Sequence, residues 1–312
     1  MMQGKKIRLP VILIFPALMG LSSITKAQNA NYCDQFSVAQ IHSPDSSNSI
    51  LDRSPDKTRL VASVAGLGLT NWLLYQPFRE AWWQEKRTGF HFYRGYKRTS
   101  GYWDFGWNDS LYGHMDKLGH FYSSKIISRL LTGLSEWIGF SRETSRLSGP
   151  LASFLFMLEI EIYDSFFEEW GFSVADLSAN ALGAFSPLLG EKMPFLDRFK
   201  LKFSYTPSDF VDDETHYIND YTGMTFWLSY DAEKDFPGEF WPDFLNVAIG
   251  YSVDRPSHGD IELYLAPDID WDAFSTNEKS AFNYLLKILD QFHFPCIAWQ
   301  LTPNRKFYPL YF

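Results

Sequence analysis

Along this chain the spacing of apolar positions changes near Pro194 from a helical to an alternating pattern. Residues 60–78 carry no charge and are flanked by Arg59 and Arg79, with Gly66, Gly68, Asn71 and Gln76 diluting their apolarity. The run is long enough to span a bilayer but not apolar enough, so it reads first as a buried or membrane-adherent helix that ends near Lys86. Between 82 and 112 Trp, Tyr, Phe, His and Gly crowd together without a clean period, as in an aromatic loop. Three helices are then expected: about 114–138, 142–170 with a break near Gly149-Pro150, and 173–189. Residues 151–158 are almost wholly apolar, as in a helix buried in protein or in lipid. Ala175, Ala179 and Gly183 form a smooth stripe at spacing four, which lets another helix approach closely.

Beyond Pro194 the period becomes two. Phe199, Leu201, Phe203 and Tyr205 share one face, as do Met224, Phe226, Leu228 and Tyr230, then Leu245, Val247, Ile249 and Tyr251, then Ile261, Leu263 and Leu265. With short runs at 296–301 and 306–312, about six strands are predicted. A helix over 277–292 places Phe282, Leu285, Leu286, Leu289 and Phe292 on one side and is expected to pack across the sheet. The fold class is α+β: an N-terminal helical bundle followed by a mainly antiparallel β domain with one long C-terminal amphipathic helix.

The N-terminus locates the protein. Lys5, Lys6 and Arg8 precede an uncharged run at 9–21, and Thr25-Lys26-Ala27 offers a small residue for cleavage. That order is a secretory signal, and the run is too short to cross a bilayer. The expected organisation is therefore a signal peptide at 1–27, a flexible leader at 28–57, a helical domain at 58–194 and a β domain at 195–312. Without the signal's four basic residues the chain keeps 24 basic against 37 acidic residues, a formal charge of −13. No basic stripe remains to track a phosphate backbone, which excludes nucleic acid as a partner. Aromatics make up 18% of the chain. A structural surplus is the plainer account of them, and a membrane surface or lipid-like ligand the functional one. The two cysteines, Cys33 and Cys296, can pair in an oxidising compartment.

Three polar signatures interrupt the apolar helices: Asp116-Lys117-Leu118-Gly119-His120, Glu161-Ile162-Tyr163-Asp164 and Asp176-Leu177-Ser178-Ala179-Asn180. Each puts two polar groups three or four residues apart, on one helix face. Four carboxylates, an imidazole and an amide suit a divalent metal held by Asp116, His120, Glu161 and Asp164. They equally suit acid–base chemistry by His120, Asp116 and Glu161, with Asp176 and Asn180 in support. In the enzymatic version Asp116 orients His120, as base or ligand. Each residue also has a structural reading: Asp116 at a helix start, Asn180 bonding a carbonyl across a helix interface, and Asp176 in a capping box with Ser173, returning a bond to the Ser173 backbone. The lone-cysteine, Gly-x-Ser-x-Gly, phosphate-loop and paired-cysteine zinc templates are not met.

These signatures, with Glu169-Trp170-Gly171-Phe172-Ser173 between the second and third, resemble the YfiM-like family of predicted periplasmic lipoproteins, a domain of unknown function. Phe90-His91-Phe92 and Leu245-Asn246-Val247-Ala248-Ile249-Gly250-Tyr251 extend the likeness along residues 60–312. The polar order is also similar, more distantly, to the VanZ-like membrane proteins, although this chain has too few long apolar runs for a four-span protein. The resemblance implies a bacterial envelope location and brings no activity with it. The chain departs from the lipoprotein pattern at Cys33, where Ala30-Asn31-Tyr32 is not the small, apolar box that precedes a lipid-attached cysteine.

Two functions follow as expectations. One is a membrane-associated envelope protein whose polar or metal-binding site acts on or binds lipid-like material; the other is a structural or assembly protein whose polar cluster fixes helix packing. An outer-membrane β-barrel is a further competitor, set aside because six strands are fewer than the eight or so that close one, and because Pro309 sits awkwardly in a final strand.

Overall fold

The computed structural model describes residues 54–94, 106–107, 113–210, 217–236, 241–256, 258–276 and 281–312. The expected signal peptide, nearly all of the leader, and Cys33 with any pairing it makes lie outside them.

The chain is α+β: among the described residues, four helices precede a six-stranded antiparallel sheet. Helix α1 (Lys57–Trp82) starts at Asp56, whose carboxylate accepts from the Thr58 and Arg59 amides. Helix α2 (Met115–Ile138) ends on Gly139 at φ 109, and α3 (Arg142–Asp164) is capped by Ser141. Helix α3 runs through Gly149-Pro150 without a break. A Cβ at Gly149 would lie 2.6 Å from the Thr132 amide, so this glycine is where α3 lies on α2. The helix stops at Asp164 rather than near 170, because the following segment turns to pair its backbone with residues 86–93. Helix α4 (Val174–Lys192) crosses α2 at Gly183, where a Cβ would meet the Phe121 carbonyl oxygen at 2.1 Å.

The helix interfaces are built from small residues. Along α3, Ser145, Gly149 and Ser153 are buried at spacing four, and Ser153 Oγ donates to the Ser124 carbonyl of α2 at 2.8 Å. Leu147, Leu151 and Leu155, also at spacing four, point outward and are each more than half exposed. Val61, Val64, Trp72 and Leu73 of α1 are likewise exposed. Only the C-terminal end of α1 joins an apolar core, where Tyr75, Phe78 and Trp82 pack with Trp83, Met157, Ile160 and Tyr163.

Strands β1 (Phe199–Tyr205), β2 (Met224–Tyr230), β3 (Leu245–Val253), β4 (Ile261–Ile269), β5 (Cys296–Thr302) and β6 (Lys306–Tyr311) each pair with the next in sequence. The register joins Leu201, Leu228, Ile249, Leu265, Trp299 and Phe307 into one cross-strand row. This is the face the alternation marks as apolar, yet across much of the sheet it is the outer one: Leu228, Ile249, Trp299 and Phe307 are 46–50% exposed. Helix α2 covers only its β1–β3 end, where Met115, Leu118 and Tyr122 pack on Phe203, Met224, Phe226 and Val253.

The opposite face is buried and largely polar or aromatic, with Lys202, Ser204, Thr225, Trp227, Ser229, Asn246, Tyr264, Asp268 and Gln300 all nearly inaccessible. Gly250 makes room there for the Trp227 ring, which a Cβ would approach to 2.7 Å. The sheet curls over this face until Tyr311 of β6 reaches Thr225 of β2, hydroxyl to hydroxyl at 3.1 Å. Strands β1 and β6 do not pair with each other.

The expected long C-terminal helix is described as α5 (Ala281–Leu289). It does not continue through 292, because Gln291 and His293 instead exchange backbone hydrogen bonds with Phe203 on the edge of β1. Leu286 is its buried apolar side chain, while Phe282 and Leu285 stay exposed.

Candidate functional site

Helices α2, α3 and α4 bring the polar signatures together because their crossings at Gly149 and Gly183 are close. Asn180 of α4 sits at the centre, fully buried. Its Oδ1 accepts from Ser124 Oγ at 3.1 Å and lies 3.0 Å from His120 Nδ1, and its Nδ2 donates to Glu161 Oε1 at 3.1 Å. With the amide oxygen turned to the imidazole, Nδ1 carries the ring proton and Nε2 the lone pair. No hydrogen bond engages that lone pair among the described residues, and the ring is 21% exposed. Nε2 is therefore the accessible basic atom of the site.

Glu161 is 1% exposed. Burial, then the nearby charges of Asp176 and Asp164, push its carboxyl well above the usual range, with the Ser173 amide and Lys117 pulling the other way. A carboxyl held above its ordinary range beside an imidazole is the inventory of an acid–base pair, here held together by one amide.

Asp176 has a different role from the one its spacing predicts. Ser173 Oγ does cap α4, accepting from the Asp176 amide at 3.1 Å. The reciprocal bond to the Ser173 backbone comes from Glu161, and the Asp176 carboxylate pairs instead with Lys117 Nζ at 2.9 Å. Lys117 also holds Asp116 at 2.7 Å. The residue that orients His120 is thus Asn180 and not Asp116. Asp164 stands to one side, accepting from Trp83 Nε1 at 2.6 Å. Burial lifts its carboxyl to about 7 against that bond, with Asp176 adding to the rise.

One ligand atom each from His120, Glu161 and Asp176 lies within 4.8 Å of the other two. These three can hold a divalent cation together; Asp116 and Asp164 are not part of that set. Lys117, Ser124 and Trp83 also belong to the site and were not singled out by spacing. Lys117 and Ser124 stand three before and four after His120, a helical neighbourhood that marks both, whereas Trp83 comes from α1 and carries no local signal.

A second polar centre lies under the sheet. Lys202, with no exposed surface, donates to Asp268, Asp290 and the Ile269 carbonyl at 2.6–3.0 Å. Lys200 bonds Asp270, Asp272 and Asp290 at 2.7–3.1 Å. Its ammonium stands where a cation shared by those three carboxylates would. His293 stacks on Trp227 at 3.8 Å, places Nδ1 2.9 Å from Asp268 and Nε2 3.4 Å from Cys296 Sγ. The order Cys–His–Asp resembles a nucleophile row, but burial and then Asp268 push the thiol up to about 11, so it stays protonated and inert.

No curated protein and no solved structure matches the chain, and the VanZ-like likeness gains no support. Residues 104–191 match the model of a family described as Predicted periplasmic lipoprotein (DUF2279). The segment that holds Asp116, His120, Glu161, Asp164, Asp176 and Asn180 thus matches a predicted periplasmic lipoprotein family of unknown function, and the protein is an exported one, periplasmic or associated with the outer membrane.

Proposed function

We propose that this is a membrane-associated envelope protein that rests in lipid on the outer faces of its sheet and helices and binds polar, lipid-like envelope material at the Asn180-centred site. The observation that carries the reading is an inverted distribution of polarity in both halves. The sheet buries Lys202, Ser229 and Asp268 while exposing Leu228, Ile249 and Trp299, and α3 buries Ser145 and Ser153 while exposing Leu147, Leu151 and Leu155. In water that arrangement leaves the apolar row of the sheet and the leucine row of α3 facing solvent, a pattern that marks membrane or protein contact. In lipid it is the favourable one, since small and hydroxyl-bearing residues then make the helix contacts. No helix among the described residues is long and apolar enough to cross a membrane, and the proposed contact is made by faces.

Flotation of the purified chain with phosphatidylethanolamine–phosphatidylglycerol vesicles tests this. Wild type should float, and Ile249→Lys with Trp299→Lys should remain below while keeping the circular dichroism of the parent. A detergent-free, monodisperse wild type that ignores vesicles would sink the idea.

A second reading, a divalent cation at His120, Glu161 and Asp176, is favoured by the spacing of their ligand atoms. Elemental analysis of wild type against His120→Ala decides it: equal metal content in both removes the cation. If His120→Ala and Glu161→Ala then also leave the envelope phenotype unchanged, the cluster serves only to fix helix packing.

A further inference from the structure

Where α2 approaches the edge of β1 there is a polar cavity of about 70 Å³, lined by Lys125 and Arg129 of α2, Lys200 of β1, and Asp272, Asp290 and Gln291. That volume admits several waters or one small polyatomic ion. Its charges are unevenly matched. Asp272 and Asp290 are taken up by Lys200 and Lys202 at 2.7–3.1 Å. Lys125, by contrast, has no hydrogen bond or ion pair among the described residues, and Arg129 has only a 3.4 Å contact to the Gln291 side chain.

Two cations one helical turn apart repel, and among the described residues no carboxylate is in ion-pair contact with either. We propose that the cavity is a binding site for a small oxyanion of the phosphate class, gripped by the Lys125 ammonium within and the Arg129 guanidinium at the solvent-exposed mouth. The guanidinium offers paired donors matched to such a group, and the ammonium a compact charge. The state of the amine agrees with this geometry: burial, then Arg129, push it down to about 7, with Lys200 and Lys202 adding to the effect and Asp290 opposing it. An anion would restore its charge.

The site is separate from the Asn180-centred one, and its test does not rely on lipid contact. The full chain in detergent is titrated with inorganic phosphate at pH 6.5 by calorimetry. Saturable binding is expected, weakened about tenfold or more in Lys125→Met and in Arg129→Gln, as the loss of a charge-assisted hydrogen bond implies. Lys125→Met removes an unpaired amine from a confined site and should melt no lower than the parent; Arg129→Gln alters an exposed side chain. Phosphatidic acid vesicles added as competitor identify the source. Competition stronger than that of equal free phosphate marks a lipid headgroup, and competition no stronger marks the free ion; either supports the site. No saturable phosphate binding by wild type, or unchanged affinity in both variants, overturns the proposal.

Discussion

Asn180 and Glu161 face each other across the α3–α4 interface, amide nitrogen to carboxyl oxygen at 3.1 Å, and neither has appreciable contact with solvent. The amide also serves Ser124 and His120. Replacing Asn180 with Leu leaves three buried or half-buried groups short of a partner, which should cost about 2–4 kcal/mol in thermal unfolding. Glu161→Gln should cost less than about 1 kcal/mol, because a neutral carboxyl and an amide accept the same bonds. A large loss in Glu161→Gln would mean that the carboxylate is ionised and paired with Lys117.

Burial of the Asp164 carboxyl makes stability depend on pH. Asp164 ionises near 3.8 when unconstrained and near 7 in the fold. The folded chain thus keeps a proton that the unfolded chain releases. Its contribution is complete below about pH 3.8 and is lost as pH rises towards 7, by about 1.4 kcal/mol per unit where the gap is open. Asp164→Asn keeps an acceptor for Trp83 and should flatten that part of the profile. Denaturant titrations at pH 4, 5.5 and 7 read it through tryptophan fluorescence, and parallel slopes in variant and parent would contradict the assignment.

Glycine substitutions should separate packing from propensity. At Gly183 a Cβ meets the Phe121 backbone and cannot be accommodated by a side-chain shift; Gly183→Ala should cost about 1–3 kcal/mol and pull His120 from Asn180. At Gly66 of α1 a Cβ meets nothing within 4 Å, so Gly66→Ala should stabilise by about 0.5–1 kcal/mol. Melting temperatures of the two variants moving the same way would refute this account of the crossing.

Lys202 is the electrostatic keystone of the sheet. Burial works against the Asp268 carboxylate, yet His293 and then Lys202 hold it below its ordinary range. Lys202→Met strips the ammonium from two buried carboxylates and should destabilise by about 3–5 kcal/mol. Adding Asp268→Asn should recover part of that loss, measured as a coupling energy in a double-mutant cycle.

The helices and strands were readable because their signals are local: a cap at Ser173, polar pairs at three or four residues, and an alternation that names each strand. What alternation cannot specify is which face lies inside. Leu228 and Ile249 share a face with Phe226, but only Phe226 meets α2, and the core on the other side depends on Lys202 finding Asp268 and Asp290 far along the chain. The same limit applies to the site. Spacing brought out Asp116 as the partner of His120 because it lies on the same helix face, whereas the true partner, Asn180, reaches it from another helix.

The borders of the sheet have a consequence of their own. On β1 the Phe203 backbone is already occupied by Gln291 and His293. On β6 Pro309 has no amide to offer an incoming strand. A molecule with so much outward apolar surface, crowded with copies of itself, is exposed to runaway polymerisation through its strand borders. Here one border is occupied at Phe203 and the other interrupted at Pro309, so neither offers an unbroken row of free backbone groups to a strand from another copy.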